Sequence, residues 1–172
     1  MSDDLLGKVQ GAQNKMEKLV SRIPGYRGYK KKEQRREADK LLRLEVARRY
    51  AEQLRRLGEV QYTLSERGEL TLLASLERAA SKLQLLIDRL RTAAYGYAGL
   101  FDALKVDEDV LDRLYDFDYA MLEGVEGIAA SIDALDRTVA EEGDISAQAD
   151  ALLEQLTALN DTFTRRQDVI LG

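Results

Sequence analysis

The sequence predicts an all-α protein: an elongated antiparallel up-down helical bundle with coiled-coil-like packing, four main helices (three of them long) plus a short N-terminal amphipathic helix. Three observations predict it. Apolar residues recur at alternating spacings of three and four along nearly the whole chain, the signature of one helical face. The positions between them are rich in strong helix formers such as Arg, Lys, Glu and Gln. The only proline, Pro24, stands with Gly25 and Gly28 where that periodicity breaks.

The first helix is expected over residues 3–22, with Leu5, Val9, Ala12, Met16, Leu19 and Ile23 on one stripe and Lys8, Lys15, Lys18 and Arg22 off it. Pro24 biases Ile23 away from helical angles, so the chain turns through a hinge at 24–29. A long second helix starts near Tyr29 or Lys30 and runs to Glu66, carrying Leu41, Leu44, Ala47, Ala51, Leu54, Leu57 and Leu64 inward. It reads through Gly58, because no second breaker accompanies that glycine. Gly68 turns the chain. The third helix carries Leu72/Leu73, Leu76, Ala79/Ala80, Leu83, Leu86/Ile87 and Leu90, and continues to Leu104.

After a short link the fourth helix starts at Asp107 or Glu108, with Asp107 as N-cap and Glu108 and Asp109 in the first turn, where carboxylates suit the helix dipole. Its stripe runs from Leu111 and Leu114 through Asp118, Met121/Leu122, Val125, Ile128, Ile132 and Leu135 to Val139. Gly143 ends it, and Asp144 or Ser146 caps a last helix reaching about Ile170. Short links make sequential helices antiparallel neighbours, and the long helices span roughly 54 Å each at 1.5 Å per residue. The 172 residues form one domain: the N-terminal helix over 1–23, the hinge over 24–29 and the bundle over 30–170.

Composition narrows the function classes. With 45% apolar and 33% charged residues the chain is neither disordered nor a membrane span. It contains no histidine and no cysteine, which removes the usual general base, thiol nucleophiles, disulfides and the commonest transition-metal ligands together. No glycine-rich phosphate loop and no EF-hand loop is present. The expectation is a non-enzymatic protein without cofactor or metal, located in the cytoplasm. Asp109, Asp112 and Asp116 share a helix face that suits Mg²⁺ or Ca²⁺, but the same spacing describes an ordinary acidic face.

Charge is strongly polarised. Residues 8–56 hold 16 Lys and Arg against 6 Asp and Glu, whereas residues 102–172 hold 5 against 18. Two surfaces follow. An anionic-partner surface is expected from Arg22, Tyr26, Arg27, Tyr29, Lys30, Lys31, Lys32, Arg35 and Arg36, the cations facing phosphates and the tyrosines stacking or lying at an interface. An aromatic and acidic end is expected from Tyr95, Tyr97, Phe101, Asp109, Asp112, Tyr115, Asp116, Asp118 and Tyr119, suited to a cationic group or simply closing the bundle. Asp118 falls on the inward seam and needs a partner, for which Arg89, Arg91 or a tyrosine hydroxyl are candidates. In the expected bundle the basic start of the second helix lies beside Asp102, Asp107, Asp109 and Asp112, which turns part of the polarity into an internal ion-pair network.

The leading expectation is a helical scaffold or adaptor acting through a protein partner or self-association as a homo-oligomer. The alternative is a bundle at the inner face of an anionic membrane, attached through the first helix and the basic segment. A nucleic-acid-binding role is a further alternative, disfavoured by the overall net charge of −5.

Overall fold

Breaks in the apolar periodicity become helix ends. In the computed structural model, which describes residues 2–93 and 107–171, five helices pack against one another and no strand occurs among the described residues. α1 spans Ser2–Arg22, α2 Arg35–Glu66, α3 Leu70–Thr92, α4 Glu108–Ala140 and α5 Ser146–Leu171. The expected continuation of α3 through Tyr95, Tyr97 and Phe101 to Leu104 lies outside the described residues.

Local chemistry explains the ends. The Asp107 side chain accepts the Val110 N–H at 2.9 Å, capping α4 as expected. After α2, the Gly68 N–H donates to Ser65 O at 3.0 Å and the Glu69 N–H to Leu64 O at 3.0 Å, with Gly68 at φ +70 in the left-handed position that glycine favours. α4 ends with the same pair of bonds, Glu142 to Val139 O and Gly143 to Thr138 O. Here the left-handed residue is Glu142, at φ 55, and the glycine follows one position later. α2 starts later than Tyr29 or Lys30: Lys31 is extended, a 3-10 turn covers Lys32–Gln34, and the α-helix begins at Arg35. The cause is tertiary, because the hinge is held open by the contacts of Tyr29 described below.

The principal packing pairs are α2 with α3, α4 with α5, α3 with α5, α2 with α4, and α1 with α4. The expected direct pairing of α3 with α4 is not among them. α4 lies along α2 instead, with residue numbers rising together: Tyr50 donates to Met121 O at 2.7 Å, Arg56 pairs with Asp133, and Arg67 donates to Val139 O at 2.6 Å. Gly124 makes this approach feasible, since a Cβ there would fall 2.5 Å from both the Tyr50 hydroxyl and Leu159 Cδ2.

The core runs through all five helices, from Leu19 of α1 and Ile23 just after it to Phe163 and Ile170 of α5. Its stripe on α2 includes the expected Ala47, Leu57 and Leu64, with Leu41, Ala51 and Leu54 packed against it, but is centred differently at the start of the helix. Leu42, Val46, Ala47 and Tyr50 are buried, whereas Leu44 is 42% exposed. The helix is turned so that Asp39 and Arg43 point inward with Leu42 and Val46.

Candidate functional site

The hinge end gathers most of the residues singled out in the sequence, but it redistributes their roles. Gly25 and Gly28, both at φ +80, route the chain so that Tyr26 and Tyr29 turn inward. A Cβ on Gly28 would lie 2.7 Å from the Tyr115 hydroxyl. That hydroxyl accepts the Tyr29 N–H at 2.8 Å. The three tyrosine rings form a layer: Tyr26 meets Tyr29 edge-on at 5.9 Å between centroids, and Tyr29 meets Tyr115 tilted at 5.3 Å.

Beneath this layer lies a buried polar network. The Tyr29 hydroxyl donates to Asp118 Oδ2 at 2.5 Å, and Arg166 Nε donates to Asp118 Oδ1 at 2.6 Å. Arg166 Nη2 donates to Asp39 Oδ1 at 2.5 Å, and Arg43 Nε donates to the other Asp39 oxygen at 2.8 Å. Arg43 Nη1 closes the chain on Leu90 O at 2.6 Å, and Arg35 Nε donates to Tyr29 O at 2.7 Å. The network thus ties the hinge to α2, α3, α4 and α5. At its centre two carboxylates, Asp39 and Asp118, face two guanidiniums, Arg43 and Arg166, each at most 2% exposed, and Arg35 adds a third guanidinium at its edge, at 9%.

Burial pushes the Asp118 carboxyl above the usual carboxylate range, opposed by the Arg166 charge and the Tyr29 hydrogen bond. Burial likewise raises the Tyr29 phenol, with the Asp118 charge adding to it. Around Arg166 the order reverses: desolvation favours the neutral form, but Asp118 and Asp39 together hold the guanidinium well above its ordinary value. These groups are sealed from solvent. The arrangement locks elements together.

Of the expected anionic-partner surface, Tyr26, Tyr29 and Arg35 are therefore corrected to buried residues; tyrosine rings and a guanidinium with internal partners are removed from water here. Arg27, Lys30, Lys31, Lys32 and Arg36 remain exposed. Arg22 is turned to α4, where it pairs with Glu123 at 2.5 Å and with Glu126. Glu123 hydrogen bonding is the main reason the Arg22 guanidinium is held above its ordinary value.

Of the aromatic and acidic end, Tyr95, Tyr97 and Phe101 lie outside the described residues. Tyr115 and Asp118 are buried in the network, while Asp109 and Asp116 are exposed and Asp112 half-buried. Burial and the neighbouring Asp109, Asp116 and Glu108 raise the Asp112 carboxyl. Among the described residues no group of three or more Asp or Glu side chains is placed to hold a metal ion. Among the described residues the acidic face of α4 meets α1, where Lys15 pairs with Asp116 and Lys18 lies 5.2 Å from the centroid of the half-buried Tyr119 ring, while Lys30 shares a groove with Asp112; Asp102, also expected beside the basic start of α2, lies outside the described residues. The tyrosine-hydroxyl partner expected for Asp118 is Tyr29. Its cationic partner is Arg166 rather than Arg89 or Arg91, since Arg89 donates to Asn160 O at 2.9 Å and Arg91 is exposed.

Sequence reasoning missed Asp39, Arg43 and Arg166. The i, i+4 spacing of Asp39 and Arg43 was a visible signal, but an exposed helix carries the same spacing. α1 docks through its C-terminal half, burying Leu19 and Ile23, and leaves Leu6 and Val9 at 60% and 55% exposure. A groove of about 380 Å³ separates α1 from the start of α4, lined by Val9, Met16, Lys30, Leu111, Asp112 and Tyr115 among others.

Comparison with protein-family models, with curated proteins and with solved structures returns no match. Fold and site together define a protein whose described residues are helical, with an ion network buried at the hinge end. No helix among the described residues is long and apolar enough to cross a membrane.

Proposed function

We propose that this chain is a non-enzymatic helical scaffold or adaptor, working through protein–protein contact or self-association, on an elongated antiparallel bundle with coiled-coil-like seams. The observation that carries this reading is the incomplete burial of α1. Its apolar stripe is used at Leu19 and Ile23 but continues outward to Val9 and Leu6, which stand in solvent. An amphipathic helix end with an unfilled face favours a second helix as its cover. The test is light scattering over a concentration series, together with affinity capture, comparing the wild type with Leu6→Glu/Val9→Glu. Association that the double substitution removes supports the reading. A strict monomer with no α1-dependent partner overturns it.

A second reading is favoured by one further observation: Lys30, exposed beside Lys31 and Lys32, lines the same groove as Val9. Apolar side chains beside clustered cations suit an anionic bilayer, which would place the molecule at the inner face of a membrane. Cosedimentation with phosphatidylserine vesicles at low and moderate salt tests it. Salt-sensitive binding lost in Leu6→Glu/Val9→Glu supports this reading, and no binding overturns it.

A further inference from the structure

Charge is divided between the two helical hairpins. Residues 35–92, carrying α2 and α3, hold 13 Lys and Arg against 9 Asp and Glu, whereas residues 108–171, carrying α4 and α5, hold 4 against 16. On that acidic hairpin α4 and α5 leave a groove of about 270 Å³ between them, lined by Gly124, Gly127, Ile128, Ala158, Leu159 and Thr162 among others. Small residues make up most of its lining; Leu159 is half-buried and Ile128, at 1% exposure, belongs to the core. Glu154 and Asp161 lie one turn to either side of Ala158, both exposed, and Asp168 continues the row after seven more residues. None of the three makes an ion pair among the described residues.

We infer that the α4/α5 groove is a docking site for a basic amphipathic helix of a partner protein. The inference rests on the interaction-module reading but concerns a surface distinct from α1. Gly127 and Ala158, both exposed, let a helix backbone approach closely, so that its apolar seam reaches the half-buried Leu159. Lys or Arg residues repeating every three to four positions beside that seam would meet Glu154, Asp161 and Asp168 in turn. The exposed, unpaired carboxylates of Glu154, Asp161 and Asp168 select the sign of the partner: a helix with acidic flanks would be repelled by them.

Gly127 gives a clean test, because a Cβ placed there meets nothing within 4 Å. Gly127→Leu therefore starts from an open Cβ position and projects into the groove, and a melting temperature that holds or rises, as expected because glycine inside a helix is unfavourable, shows that the fold is kept. The probe is a fluorescent peptide of about 21 residues, three heptads with Leu and Ala on the seam and Lys beside it, with a control in which Glu replaces Lys. Saturable, salt-sensitive binding of the Lys peptide is expected, weakened about tenfold or more by Gly127→Leu and by Glu154→Lys/Asp161→Lys, with no binding of the Glu peptide. The inference is overturned if the Lys peptide does not bind saturably, if Gly127→Leu binds it as well as the wild type, or if Gly127→Leu instead abolishes self-association, which would make a second copy the occupant. Association that still depends on Leu6 and Val9 in any of these cases shows that the groove alone has failed.

Discussion

Arg166 donates from Nε to Asp118 at 2.6 Å while both side chains are sealed from solvent, at 1% and 0% exposure. The same guanidinium reaches Asp39 at 2.5 Å, yet its Nη1 has no protein partner among the described residues. Such a network specifies which elements meet more than it stabilises them, because desolvation offsets most of the Coulombic gain. Asp118→Leu or Arg166→Met alone should each lose about 3–5 kcal/mol, the penalty of an uncompensated buried charge. The double substitution should lie closer to the wild type than either single one, since the Asp39–Arg43 pair stays balanced. Urea denaturation checks this, and additive losses would contradict the coupling.

Gly28 and Gly68 both take positive φ, but only Gly28 is crowded. Gly68→Ala, with open space around its Cβ, should lose about 1–2 kcal/mol from left-handed strain alone. Gly28→Ala should lose more, because its Cβ would strike the Tyr115 hydroxyl that holds the Tyr29 N–H. Equal losses in parallel urea titrations would show that the hinge yields freely.

At the end of α4 the left-handed position belongs to Glu142. Glu142→Gly should raise stability by about 1 kcal/mol, the relief of Cβ strain less the entropy glycine adds to the unfolded chain. A higher melting temperature is the expected readout, and a lower one would count against the strain argument.

Tyr26, Tyr29, Tyr50 and Tyr115 all have phenols raised above the ordinary value of 10.0, with burial as the first cause in each. A raised folded value means that their contribution is complete below about pH 10 and is lost as pH climbs beyond it. Alkaline titration should therefore show these phenolates appearing together with loss of helical circular dichroism. Their gradual ionisation with the helices intact would refute their sealed environment.

Most of the secondary structure was legible from local chemistry. The stripes of α3 and α4 match their buried residues nearly position for position, and Asp107 caps α4 as its side chain requires. Gly143 marked the turn that ends α4, and the structure adds that Glu142 takes the left-handed position within it. On α2 the reading held at Ala47, Leu57 and Leu64 but missed Leu42, Val46 and Tyr50 and turned the exposed Leu44 inward. Leu41 and Leu44 offered one stripe and Leu42, Val46 and Tyr50 another, so hydrophobicity alone left two orientations open.

The sequence by itself determined that this chain is helical and where its helices break, because capping, glycine geometry and apolar spacing act within a few residues. Tertiary structure decided which face of α2 turns inward, that α4 lies along α2, and that two hinge tyrosines belong to the interior. The physical reason is separation along the chain. Arg166 finds Asp39 at 127 residues' distance and Tyr29 finds Asp118 at 89, and no periodicity over a few turns carries the identity of a partner so remote.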